Sequence, residues 1–292
     1  MAEICCITTC MGRLEHLKQT LPRTVAQPGV SVVVVDYSCP DGAGDWVEAN
    51  FPQVRVVRVE GETLFSRSRA RNLGAAATDA PWLAFLDADV LIDPGFFDAV
   101  RPLLRPGRFY SPHPAALQTY GALIVERSAV VAAGGDDETF VGWGSEDIDV
   151  LEALRFEGLK AAQFPGGLLG EIPHSNELRT AVQSHQDLWF QGQINSVYRG
   201  IKSDFRRLLN RKLTADETRL IYAEVSRVLI ETEKMDRFAP SWIRINLDAF
   251  GLQPSPIFDQ TAITQVERSI TYKIRLEKQA ADGVALIAEP TE

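Results

Sequence analysis

The chain has 292 residues, of which 45% are hydrophobic and 24% charged, a mix suited to one large globular domain or a domain with a smaller appendage. Its net charge of −9 and pI near 5.1 exclude a broad phosphate-binding surface for DNA or RNA, but a local arginine cluster could still hold a small anion. No basic segment followed by a long apolar one opens the sequence, and no uncharged apolar run is long enough to cross a bilayer. The expectation is therefore a cytoplasmic protein without a transmembrane segment.

The first ~110 residues alternate strand and helix signals in the manner of a parallel α/β sheet. Ile4 to Thr9 is a short apolar strand. Arg13 to Leu21 has helical spacing, with Leu14, Leu17 and Leu21 on one face and Pro22 as its end. Val30 to Asp36 is a β-branched run, as a strand covered on both faces requires. Turn residues Ser38 to Gly44 lead into a short helix, Asp45 to Asn50, and then a strand, Val54 to Val59. Phe65 to Ala77 reads as a helix rich in arginine and alanine, and Trp82 to Leu86 as a buried strand.

A further strand and helix follow at Ala122 to Val125 and Ser128 to Ala133. Ser145 is the expected N-cap of a helix with Ile148, Leu151 and Leu154 on its apolar face, ending before Gly158. Leu159 to Phe164 is expected as the last core strand. Thr214 and Glu217 form a capping box at the start of an amphipathic helix reaching about Met235. A proline-containing loop spans Pro240 to Pro256. Alternation at Ile270, Tyr272, Ile274 and Leu276, followed by Asp282-Gly283 and Val284 to Ala288, predicts a terminal hairpin.

All four cysteines, Cys5, Cys6, Cys10 and Cys39, lie near the start. Adjacent Cys5 and Cys6 point to opposite faces of a strand, and the spacing matches neither a zinc site nor a disulfide framework. They read as reduced core residues.

Three segments could carry chemistry. Thr8–Thr9, Asp36 and Asp87-Ala88-Asp89 all fall at strand carboxyl ends, where open α/β sheets bind ligands. Asp87 and Asp89 follow a buried strand and could share a divalent cation, the alternative being a solvated strand exit. On the arginine-rich helix, Arg67 and Arg71 share a face that could bind phosphate oxygens, and Phe65 could stack on a base. Arg69 reads as a surface residue. In Gly142-Trp143-Gly144-Ser145-Glu146-Asp147-Ile148-Asp149, the acidic residues could merely complement a helix dipole. The glycines around Trp143 suggest instead a loop shaped for close approach to a ligand, with a carboxylate that takes a proton from a hydroxyl. His174 stands out from His16, His113 and His185 only by its place after these motifs.

In this order, Asp87-Ala88-Asp89, Trp143-Gly144-Ser145-Glu146-Asp147 and His174-Ser175 resemble the GT-A glycosyltransferases, especially the inverting β-1,4-galactosyltransferase-like and chondroitin-polymerase-like enzymes of family-2 type. Phe65-Ser66-Arg67 with Asn72-Leu73-Gly74 resembles their nucleotide-binding helix, and Arg13 to Leu17 the segment after their first strand. The resemblance implies a GT-A, Rossmann-like mixed sheet flanked by helices over residues 1–178, with residues 179–292 as a mainly helical extension ending in a β-hairpin. It implies contacts to the nucleotide from Thr8, Arg13, Asp36, Phe65, Arg67 and Asp87. It further implies Mn²⁺ or Mg²⁺ held by Asp89 and His174 with Asp87 beside them. Trp143 and Glu146 would hold the sugars, and Asp147 would be the base. Glu171 stands where galactosyltransferase-like members place a methionine ligand, a harder donor that makes Mg²⁺ plausible.

The activity so implied is transfer of a hexose or N-acetylhexosamine from a UDP-sugar to a carbohydrate hydroxyl. Two rivals are a sugar-nucleotide pyrophosphorylase, which would need a glycine-rich loop that the Cys6 to Arg13 region lacks, and a catalytically silent glycan- or nucleotide-binding protein. The extension matches no family; acceptor binding, homo-oligomer formation and partner docking are its open roles.

Overall fold

The computed structural model describes residues 3–114, 119–173, 187–252 and 268–277. The chain divides into two compact units, Met1–Asn195 and Ser196–Glu292.

The first unit is built on a seven-stranded sheet of order β3-β2-β1-β4-β7-β6-β8. Its strands are β1 (Ile4–Cys10), β2 (Val30–Tyr37), β3 (Arg55–Val59), β4 (Trp82–Phe85), β6 (Arg108–His113), β7 (Leu123–Glu126) and β8 (Lys160–Pro165). β3, β2, β1 and β4 are mutually parallel; β7 runs antiparallel to both β4 and β6, and β8 parallels β6. The sheet is therefore mixed, and its helices flank both faces.

Period-2 alternation divides the strand residues between two cores. Cys6, Val32, Val34 and Ala84 pack with α1 (Leu14–Val25), α2 (Ala43–Asn50) and α4 (Phe96–Val100). Cys5, Ile7, Val33, Val35, Leu83 and Phe85 face α3 (Arg67–Ala76), α5 (Arg127–Ala133) and α6 (Glu146–Phe156). Cys5 and Cys6 thus lie on opposite faces, as their adjacency requires.

Several expectations need correction. Helix α1 runs through Pro22 to Val25, because Leu21 and Thr24 are buried and packing keeps the last turn. Ser145 stands before α6 but makes no side-chain cap; its φ of 70° turns the side chain away from a capping geometry. The buried stripe of α6 is Val150, Ala153 and Leu154 together with Asp149, rotated from the expected Ile148, Leu151 and Leu154. Strand β6 was not foreseen.

A small two-stranded sheet joins β5 (Val90–Ile92) antiparallel to β9 (Leu169–Glu171). It ties the segment after the Asp-Ala-Asp triplet to the segment just before residue 174. Helix α7 (Leu188–Leu209) leaves the first unit and enters the second.

In the second unit, α8 (Ala215–Asp236) opens with the expected capping box, reinforced by Arg211 gripping the Glu217 carboxylate at 2.6 and 2.9 Å. Within the expected Pro240 to Pro256 loop lies β10 (Ser241–Asn246), paired antiparallel with β11 (Ser269–Ile274). The anticipated second arm of the hairpin, Val284 to Ala288, lies outside the described residues. No helix among the described residues is long and apolar enough to cross a membrane.

Candidate active site

Arg67 is the centre of the site. Ser66 caps α3 by accepting from the Arg69 N–H, so the first helical residue projects its guanidinium toward the end of β4. There Arg67 bonds Asp87 at 3.2 and 3.4 Å, Glu146 at 3.1 Å, and the Asp147 carboxylate. One helical turn on, Arg71 bonds Asp87 at 3.0 Å and the Gly121 carbonyl at 2.8 Å, and stacks over the Phe85 ring. A Cβ on Gly121 would lie 2.0 Å from the Arg67 guanidinium, so no larger residue fits there without displacing it. Three segments distant in sequence are thereby brought to one point: α3, the end of β4 and the start of α6. Arg69 turns to the surface and pairs with Glu62 at 2.5 Å.

The carboxylates differ in setting. Burial would raise Asp87, but Arg67 and Arg71 outweigh it and hold its carboxyl below the usual range. Glu146 is raised, first by burial and then by Asp147, with Arg67 opposing. Its Oε2 is buried and makes no hydrogen bond. The Glu146 side chain is 10% exposed against 29% for Asp147. Reach from solvent therefore favours Asp147, while Glu146 presents an unused acceptor inside.

Asp136 joins this field. Burial, above all, pushes its carboxyl up to about 6; Arg71 and Arg67 pull down, and Asp147 and Asp149 push up. Between the ordinary carboxylate value and that raised one, the native state binds more protons than the unfolded chain, so stability falls as pH rises. Asp136→Asn removes this proton dependence. The variant is expected to match the parent near pH 4 and to exceed it above pH 7 by on the order of 2 kcal/mol. Chemical denaturation at both pH values checks it, and equal curves throughout would remove the buried-proton account.

The loop before α6 has a strained path: Gly142, Gly144 and Ser145 have φ of 72°, 108° and 70°. Two buried amides of α7 hold it. Gln191 donates to the Val141 carbonyl at 2.8 Å, and Asn195 donates to the Val141 and Trp143 carbonyls at 3.0 and 3.1 Å. A Cβ on Gly144 would meet the Gly192 Cα at 3.3 Å. The close approach anticipated for these glycines is thus, at Gly144, to a helix of the same unit. Trp143 is 45% exposed.

Among the other residues singled out from sequence, Asp36 spends both carboxylate oxygens on the Cys39 and Gly44 N–H groups at 2.9 Å. Thr8 is buried in β1, and Arg13 precedes α1. Phe65 packs edge-on to Tyr37, with centroids 5.6 Å apart. With Leu64 and Phe140 they line a cavity of about 340 Å³ whose wall also carries Glu62 and Glu138.

For a divalent cation, the described donors are hard carboxylate oxygens, which suit Mg²⁺ or Mn²⁺. The Asp89 carbonyl accepts from Ile172 N–H at 2.9 Å, and Glu171 pairs with Val90, so the two acidic residues sit on adjoining segments. Around Arg67 and Arg71, the carboxylates of Asp87, Glu146, Asp147 and Asp136 outnumber the guanidiniums, an excess that favours further positive charge. Among the described residues no three His, Cys, Asp or Glu side chains form a metal cluster. His174 and Ser175 lie outside the described residues.

Sequence reasoning missed two members of this site. Arg71, expected beside Arg67 on a phosphate-binding face, instead donates to Asp87 and the Gly121 carbonyl. Gly121 and Asp136 carried no signal, since Tyr120-Gly121 and Gly134-Gly135-Asp136 read as ordinary turns.

Residues 5–109 match the family described as Glycosyl transferase family 2. The segment ends before Glu146 and Asp147, so it covers β1 to β4 and Asp87 but not the acidic helix start. A sequence search of the curated proteins finds no match. Among solved structures, the mannosyltransferase PcManGT from Pyrobaculum calidifontis, in complex with GDP-Man and Mn2+, is similar with TM-score 0.51 and 14% identity, over 80% of this chain and 75% of that one. S. aureus TarS 1-349 gives TM-score 0.52 and 11% identity, over 80% and 73%. A longer TarS structure gives TM-score 0.53 at 13% identity, and there the match spans 43% of the partner chain. The mixed sheet with flanking helices is the GT-A fold. The family match over residues 5–109 points to a glycosyltransferase and the neighbours share its fold; the galactosyltransferase-like or chondroitin-polymerase-like subtype has no such support.

Proposed function

We propose that this protein is a metal-dependent, inverting glycosyltransferase that moves a hexose or N-acetylhexosamine from a UDP-sugar to a carbohydrate hydroxyl. The observation that carries the reading is the Arg67 network, in which Asp87, Glu146 and Asp147 converge on one guanidinium. A phosphate-binding fork, a strand-end carboxylate and a solvent-reachable base stand within reach of one substrate.

Arg67 and Arg71 would present N–H donors to the diphosphate. The cavity beside Phe65 and Tyr37 offers aromatic faces to a base. Glu146, through its unpartnered Oε2, would accept from a sugar hydroxyl. Asp147 would take the proton of the acceptor hydroxyl, whose oxygen then attacks the anomeric carbon opposite the departing diphosphate, and a single displacement inverts configuration. Asp89 and Glu171, with His174, would hold the divalent cation. That cation, when bound, supplies Lewis-acid stabilisation of the leaving group's charge.

A thermal-shift panel of UDP, GDP and UDP-sugars with Mn²⁺, Mg²⁺ or EDTA tests the binding half. Ligand at about 100-fold over Kd is expected to add roughly 2.7 kcal/mol of stability, lost in EDTA. A shift with GDP alone would replace the donor base. No metal-dependent shift with any nucleoside diphosphate would remove the claim, and binding without transfer would point to the silent glycan- or nucleotide-binding protein.

A further inference from the structure

A second cluster of reactive atoms stands at the same end of the sheet. Cys10 ends β1 in register with Asp36, and Cys39 lies in the turn between β2 and α2. Their sulfurs are 3.9 Å apart, a hydrogen-bonded contact between free thiols. The Gly12 N–H donates to Cys39 Sγ at 3.3 Å. Cys10 is fully buried, as are Cys5 and Cys6, whereas Cys39 is partly exposed. Cys39 is therefore the more accessible residue of the pair, and buried Cys10 is its contact on the core side.

We propose that Cys39 is a peroxide-reactive thiol and Cys10 its resolving partner, closing a disulfide between the end of β1 and the turn after β2. The Cys39 thiol first releases its proton. The thiolate attacks one peroxide oxygen, the O–O bond breaks, Cys39 becomes a sulfenic acid, and the departing hydroxide takes up the released proton and leaves as one water. The Cys10 sulfur then attacks the sulfenic sulfur, its proton and the departing hydroxide form a second water, and the S–S bond closes. Two thiols are oxidised by two electrons, and one hydrogen peroxide is reduced to two waters.

The surroundings prepare both steps. The hydrogen bond from Cys10 does most to lower the Cys39 thiol to about 6, against burial, with backbone N–H groups of Asp41, Gly12 and Ala43 adding to it. The same hydrogen bond, together with burial, keeps the proton on Cys10 well above the usual thiol range. Oxidation of Cys39 removes that acceptor and frees Cys10 to react. Closing from 3.9 Å to a bond of about 2.05 Å needs only a small movement of a short turn. Cys39 N–H also donates to Asp36, so the bond would pull on the turn beside Asp36 and Arg13. On the glycosyltransferase reading those residues face the nucleoside, and the oxidised protein then binds UDP more weakly.

The test treats the reduced full-length chain with one equivalent of hydrogen peroxide and maps its peptides without reductant. A Cys10–Cys39 linked peptide that disappears with dithiothreitol is expected, and Cys39→Ser abolishes it. Cys10→Ala leaves Cys39 as a sulfenic acid captured by a dimedone-type probe. Alkylation of Cys39 in the parent is expected to follow a pH profile with its midpoint near 6. A fully reduced pair after peroxide, or oxidation confined to other residues, overturns the proposal. The UDP–Mn²⁺ thermal shift of oxidised and reduced protein is compared separately. If the reduced protein shows no shift, the glycosyltransferase reading fails while the peptide map still decides the thiol pair.

Discussion

Arg67→Ala is expected to destabilise the protein by about 3–5 kcal/mol at neutral pH, because it strands Asp87, Glu146 and Asp147 around an empty centre. The loss exceeds that of an exposed ion pair, since the Arg67 side chain is only 14% exposed. Its pH dependence has a fixed sign. In the parent, the lowered carboxyl of Asp87 adds stability that is present above the ordinary carboxylate range and lost as pH falls through the lowered value. The variant forgoes most of that gain and carries more repulsion between Glu146 and Asp147. The gap between the two proteins is therefore widest near neutrality and narrows in acid. Arg67→Lys keeps a charge but not the fork, and should fall between them. Denaturant titrations at neutral and acid pH read this directly. A loss below about 1 kcal/mol, or a gap independent of pH, would mean the network is solvated and holds nothing together.

Asp147→Asn is expected to lower kcat by about 10²–10⁴-fold while leaving the nucleotide-dependent thermal shift in place. The substitution keeps the volume beside Gly121 and Arg67 while removing the proton acceptor together with one of the charges paired with Arg67. Glu146→Gln is the matched comparison, expected to raise KM for the donor more than it lowers kcat. Transfer at the parental rate in the Asp147 variant, with loss in the Glu146 variant, would move the base by one residue. Loss of nucleotide binding in both would mean these carboxylates organise Arg67 rather than handle a proton.

Much of this arrangement was readable from the residues, and the failures have physical causes. β1, β2 and β4 announced themselves because strands covered on both faces are nearly all apolar. The capping box at Thr214 and Glu217 is a local device, and local devices survive in sequence. β10 did not stand out. Its buried Ser241, Ile243 and Ile245 alternate with exposed Trp242, Arg244 and Asn246, but a buried serine and an exposed tryptophan invert the usual polarity. β6 carries Pro112 and only a short apolar stretch. At the site, the order of motifs pointed to Arg67, Asp87, Glu146 and Asp147, whereas Asp136 owes its raised carboxyl to burial that no spacing encodes. The thiol pair escaped for a related reason. Spacing rules seek neighbouring cysteines, while Cys10 and Cys39 meet through the parallel pairing of β1 with β2.

The short ladder between β5 and β9 has a mechanical consequence. Because Asp89 accepts from Ile172 and Val90 pairs with Glu171, a load applied to either segment is shared through the backbone by the other. Cutting the chain within residues 169–171 would therefore unmoor the turn at Asp89 as surely as mutating that turn itself.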